Sequence, residues 1–163
     1  VSRGTLLPQS GESPTVNSGP AQDDATATRV GIAVVEREGR FLVGVRPEGR
    51  PLAGMAEFPG GKCDPGEPPA ACAIRECLEE TGLRVEIREP LQEQVHEYSH
   101  DLVHLHFFLC TPVAGEPVEA NGSFRWCVLQ ELGELEFPEA NGPVVQQLLD
   151  RGANLSSGRP PVC

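Results

Sequence analysis

Positive charge is what this chain lacks most. Its 163 residues hold twelve arginines and one lysine against 24 acidic side chains, a formal net charge of −11. A protein that grips nucleic acid through its phosphates needs the opposite balance, so nucleic acid is not an expected partner. An anionic small molecule stays possible, provided metal ions mask both site and ligand. No apolar run is long enough to span a bilayer and no signal-peptide pattern is present, so a membrane is not expected either. No CxxC pair occurs among Cys63, Cys72, Cys77, Cys110, Cys127 and Cys163, which argues against a zinc site or a disulfide framework. Reduced thiols in a cytoplasm fit best. Internal repeats are absent, and the length suits one domain with a real core. The sequence opens on Val1 rather than Met, as a processed chain or a piece of a longer one would.

Residues 1–27 are rich in Ser, Gly, Pro, Thr and Asp and bury too little to offset their ordering entropy, so a disordered tail or linker is expected there. The domain is expected over 28–151, with a loose tail over 152–163. Val30–Val35 and Phe41–Val45, joined through Glu38-Gly39, read as a hairpin. Pro68-Pro69 suits a helix start and Gly82 its end. Alternating apolar residues over 83–95, broken near Glu89-Pro90, suggest one or two strands. Leu102–Val113 is the clearest strand, with Leu102, His104, His106 and Phe108 on one face. Arg125–Leu129 reads as a last strand, 136–142 as a turn, and Val144–Leu149 as the opening of an amphipathic helix. Together these predict an α/β protein with helices packed on a mixed sheet.

Chemistry concentrates in residues 57–83. The segment Glu57-Phe58-Pro59-Gly60-Gly61-Lys62 enters a Gly-rich turn, where the lone lysine is placed either to meet a phosphate or as an ordinary surface group. Arg46, at a strand end, is likewise either a phosphate clamp or a surface arginine. On the helix, Glu76, Glu79 and Glu80 fall within an arc of roughly 100°. Ala71, Ile74 and Leu78 lie opposite, where a core stripe is expected. Like charges at i and i+4 destabilise a helix by a few tenths of a kcal/mol, a repulsion that Mg²⁺ or Mn²⁺ bound to hard carboxylate oxygens relieves. His96, His100, His104 and His106 invite a metal hypothesis. His104 and His106 share a face, but no third ligand has convincing spacing, so these histidines read as structural or exposed.

The spacing Gly61-x5-Glu67-x7-Arg75-Glu76-Cys77-x-Glu79-Glu80-x-Gly82-Leu83 resembles the Nudix box, filling all seven fixed identities. At roughly 7% per residue type, that arises by chance on the order of once in 10⁸ starts. Cys77 stands where the box usually has an aliphatic residue. Beyond the box, Glu57–Lys62 is similar to the E-F-P-G-G-K of the MutT branch, the 8-oxo-dGTP diphosphatases. Phe137-Pro138-Glu139-Ala140-Asn141 is similar to that branch's F-P-x-A-N.

The resemblance implies the Nudix α/β/α sandwich, with a mixed β-sheet and the Nudix loop-helix-loop. It implies that Gly61, Glu76, Glu79 and Glu80 hold Mg²⁺ (Mn²⁺ as the alternative), with Glu76 taking a proton from the attacking water and Glu57 assisting. Arg46, Lys62, Tyr98 and Asn141 become substrate-binding candidates, Asn141 reading the oxidised guanine edge. Glu119 is a further candidate, although its segment aligns with a gap. Glu67, Arg75 and Gly82 are implied as structural. Asp101 stands where the branch prototype has a nucleotide-pocket arginine. The implied activity is hydrolysis of 8-oxo-dGTP to monophosphate and pyrophosphate, which cleanses the nucleotide pool and so avoids mutation. The alternatives are another Nudix substrate, such as ADP-ribose, a dinucleotide or an undamaged nucleotide, and a domain that senses a nucleotide without catalysis. Monomer and homodimer stay equally open.

Overall fold

The computed structural model describes residues 27–99 and 101–157. The rest of the expected amino-terminal tail, residues 158–163 and His100 lie outside the described residues. Strands β1 (Thr28–Arg37) and β2 (Arg40–Val45) form the expected hairpin. Its two-residue turn places Glu38 at φ 50° and Gly39 at φ 78°, the left-handed pair whose twist matches the flanking strands. Strands β3 (Ala56–Glu57) and β4 (Gly60–Lys62) are short and lead into the box loop. Helix α1 (Pro69–Thr81) follows, then β5 (Val85–Tyr98), β6 (Asp101–Pro112) and β7 (Arg125–Val128). A four-residue helix α2 (Leu129–Leu132), a 3₁₀ turn (Glu139–Asn141) and α3 (Gly142–Ser157) close the described chain.

The sheet runs β3-β2-β1-β6-β5, with β4 beside β1 and β7 beside β2. Among the described residues only the β1–β6 pair is parallel, which makes the sheet mixed. Strand alternation sends Ile32, Val34, Leu105, Phe107 and Leu109 to one face, where Val144 and Leu148 of α3 cover them. Ala33, Val35 and Cys110 go to the other face, under Ala73 and Cys77 of α1. Helices thus cover both sides of one sheet.

Three local expectations need correction. Ala71 is exposed and Leu78 only half-buried, while Cys72, Ala73, Cys77 and Thr81 form the buried side of α1. The helix is rotated because it sits directly on Gly31 of β1, where only small side chains fit. Leu129 leaves the last strand to begin α2. Finally, the chain after Arg151 stays helical to Ser157, because Gly152 leaves the space that Leu129 fills. The Glu89-Pro90 interruption does not split β5; it appears as register shifts against β6.

The Gly31 contact is unusually close. A Cβ there would stand 2.4 Å from the Pro69 carbonyl oxygen and 2.8 Å from the Ala73 nitrogen, both backbone atoms that cannot step aside. Gly31→Ala is therefore expected to cost about 2–3 kcal/mol of overpacking, read as a lowered midpoint in urea denaturation.

Candidate active site

Helix α1 begins after Pro68, with Pro69 in the first turn, and stops at Gly82. That glycine's φ of 80° lets its N–H reach the Leu78 carbonyl at 2.9 Å. Between these stops the helix carries Arg75, which draws the box together. Its Nε and Nη2 donate to the two oxygens of Glu67 at 2.8 Å each. Nη2 also reaches the Lys62 carbonyl at 3.2 Å, and Nη1 lies 3.1 Å from Glu76 and 3.2 Å from Glu79. Glu67 in turn accepts from the Asp64 N–H at 2.9 Å. These donors hold the Glu67 carboxyl down at about 2.

Glu76 and Glu80 face the short strand β4 rather than solvent. Glu80 accepts the Gly60 N–H at 2.8 Å. A Cβ on Gly61 would fall within 2.7 Å of the Glu76 carboxylate, so glycine is what lets backbone and carboxylate meet there. The Gly61 carbonyl faces Cys72, whose thiol donates to it at 3.2 Å. Burial pushes Cys72 up to about 12 and Cys77 up to about 11, so both remain thiols near neutral pH and neither is a nucleophile.

Beside these carboxylates opens a cleft of about 580 Å³ lined by Arg46, Arg50, Glu57, Glu80, Ser123 and Phe124, among others. Arg46 lies 3.4 Å from Glu57 and also donates to the Pro51 carbonyl, which fixes it at the cleft's edge. Burial raises the Glu57 carboxyl against the pull of Arg46 and Arg50. Glu80 is raised further, to about 7, first by burial and then by the negative charges of Glu57 and Glu76. Hard carboxylate oxygens crowded into a half-dry site, with one left partly protonated, make a donor set that fits Mg²⁺ or Mn²⁺.

The remaining sequence candidates scatter. Lys62 is exposed on β4, and Glu119 is exposed in the loop before β7. Tyr98 ends β5, 38% exposed, with its ring 4.5 Å from that of His96. Asn141 is buried in the 3₁₀ turn ahead of α3. Its segment is tied to the strand that carries Glu57, because the Ala56 N–H reaches the Glu136 carbonyl at 2.8 Å and Phe137 stacks on Phe58 at 5.0 Å. The two distant motifs therefore pack on each other. The sequence reading missed Arg50, Ser123 and Phe124 as cleft residues; a second arginine four residues after Arg46 was the available signal.

Glu80 gives this site a measurable signature. A carboxyl raised from 4.5 to about 7 favours folding when protonated, so its contribution is complete below pH 4.5 and is lost as pH rises through 7. Glu80→Gln keeps an acceptor for Gly60 and removes the charge. With chelator present, it is expected to be about 1–2 kcal/mol more stable than wild type at pH 8, a value discounted for partial exposure. The difference should vanish near pH 4.5 in urea titrations.

Comparison with known proteins agrees with this arrangement. The family model for the NUDIX domain matches residues 30–147. The chain is 33% identical over 134 residues to the 8-oxo-dGTP diphosphatase of Haemophilus influenzae, covering 80% of this chain and 98% of that one. It is 31% identical over 129 residues to the CTP pyrophosphohydrolase of Escherichia coli, covering 78% and 93%. Among solved structures, the MutT protein of methicillin-resistant Staphylococcus aureus superposes with a TM-score of 0.64 at 28% identity, covering 77% of this chain and 98% of that one. With the box residues tied together through Arg75, Glu80 lining the adjoining cleft, and the family model matched over most of the chain, the chain belongs to the Nudix hydrolases, enzymes that cleave acid anhydrides.

Proposed function

We propose that the protein hydrolyses a nucleoside triphosphate to its monophosphate and pyrophosphate with Mg²⁺, and that 8-oxo-dGTP is the substrate. The observation that carries the reading is the placement of Glu76 and Glu80 against Gly60 and Gly61, beside a cleft edged by Arg46 and Arg50. The oxidised-purine assignment draws support from the H. influenzae relative and from the packing of the Phe137–Asn141 segment on Phe58.

Gly61 (through its carbonyl), Glu76, Glu79 and Glu80 would hold the divalent ion. Such an ion, when bound, supplies Lewis-acid neutralisation of the polyphosphate and a more acidic water. Glu76 takes the proton of the attacking water, and Glu57, its basicity raised by burial, assists. Arg46 binds phosphate as a charge-assisted donor, with Lys62 offering a second cation at the loop. Asn141 offers both donor and acceptor to the purine edge, and Tyr98 an aromatic surface. Arg75, Glu67 and Gly82 keep the loop and helix in register. Glu119 is proposed only as an outlying contact.

One specific observation favours a second reading: the E. coli relative of comparable identity is named for CTP. A panel of 8-oxo-dGTP, dGTP, CTP, ADP-ribose and diadenosine polyphosphate separates the two. We expect kcat/KM for 8-oxo-dGTP to exceed that for dGTP and CTP by at least about tenfold, the scale of one discriminating hydrogen bond. Glu76→Gln should abolish turnover, and Asn141→Ala should erase the preference while leaving dGTP turnover in place. A preference for CTP would move the protein to the second reading. Tight nucleotide binding with no turnover of any substrate would make it a sensor.

A further inference from the structure

The strand pair β5–β6 supplies what the sequence spacing lacked, a third donor beside His104 and His106. Residues two apart on β6 share a face, and the antiparallel register sets Glu93 directly opposite His106 and Val95 opposite His104. Glu93 reaches both rings: one oxygen lies 3.1 Å from His104 Nε2, the other 3.4 Å from His106 Nδ1. The imidazole centroids are 4.1 Å apart, with the planes tilted by 31°. One donor atom from each residue lies within 4.8 Å of the other two.

Those spacings are near the size of a metal's coordination shell. With bonds of about 2.0–2.1 Å, neighbouring ligands of a tetrahedral Zn²⁺ stand about 3.3–3.5 Å apart. Each histidine already has one Glu93 oxygen near that distance, and a single donor atom from each residue falls within 4.8 Å of the others, so a small turn of the carboxylate completes the set. The histidine side chains are 14% and 13% exposed, held by the sheet, while Glu93 is 64% exposed and free to adjust. Imidazole nitrogen is a softer donor than carboxylate oxygen and selects Zn²⁺, Ni²⁺ or Co²⁺ over Mg²⁺. Two neutral imidazoles and one carboxylate carry a charge of −1 on a protein already at −11, which favours a cation. In the parallel β1–β6 pair, His104 stands in register with Arg29. Its guanidinium is turned to the carbonyls of Glu67 and Asp64.

We propose that Glu93, His104 and His106 form a second metal site, for one borderline divalent ion such as Zn²⁺, separate from the box carboxylates. Three protein ligands leave a fourth position for water. The ion clasps β5 to β6 and does not depend on the reading of substrate given above.

The test is calorimetric titration of Zn²⁺ into the full chain with saturating Mg²⁺ and a non-thiol reductant, followed by Co²⁺ absorption spectra. We expect one Zn²⁺ to bind, with Co²⁺ giving visible d–d bands and no thiolate charge-transfer band. Loss of an outer-shell partner alone weakens metal sites by about 10–100-fold, so loss of a ligand in Glu93→Gln should weaken binding at least about tenfold. His104→Ala with His106→Ala should abolish it. Because Glu93 is exposed, Glu93→Gln decides the matter even where the histidine variants do not fold. No heat beyond that of Mg²⁺, unchanged affinity in Glu93→Gln, or a thiolate band would overturn the assignment and leave the cluster as a histidine–carboxylate hydrogen-bond network.

Discussion

The guanidinium of Arg75 joins three parts of the box, loop, strand and helix, through one side chain. It forks onto Glu67 from the loop, touches Glu76 and Glu79 on its own helix, and takes the Lys62 carbonyl from β4. A planar donor with five N–H groups can serve so many acceptors at once, whereas a lysine in its place would hold one or two of them. Its positive charge also sits among carboxylates that would otherwise repel each other without relief. Loop, strand and helix are therefore fixed relative to one another before any ligand is considered.

Around that anchor the acidic groups divide by environment rather than by residue type. Glu67, with a guanidinium and a backbone N–H, is held near 2; Glu80, half-dry and beside two other carboxylates, stands near 7. Thirteen residues apart, one carboxyl is a permanent anion and the other is poised to exchange its proton for a stronger positive charge. Such a split is what separates a bracing carboxylate from one with chemistry left in it.

Much of this was legible in the sequence because it is written locally. The turn at Glu38-Gly39, the prolines ahead of α1, Gly82 behind it and the spacing of the box all act within a few residues of themselves. What could not be read depends on which strands become neighbours. The rotation of α1 follows from its contact with Gly31, some forty positions away, and periodicity alone put Ala71 and Leu78 on the wrong side. Arg50, Ser123 and Phe124 meet at the cleft only because β2 lies beside β7. Glu93 joins His104 and His106 through a register that two bulges shift, and no linear spacing rule anticipates it. The helical continuation past Arg151 was likewise not legible, since it packs Gly152 against Leu129, a residue of a different helix.

The stack of Phe137 on Phe58, with the Ala56–Glu136 hydrogen bond beside it, also bears on how the protein is made. Phe58 leaves the ribosome about eighty positions before Phe137, an interval of seconds at about 5–20 residues per second. Throughout that time the box loop and its helix exist without the partner that completes the seat of β3. The nascent chain thus carries its acidic cluster before the frame that holds it is finished. Assembly of this cleft therefore waits on a segment made after the residues that line it.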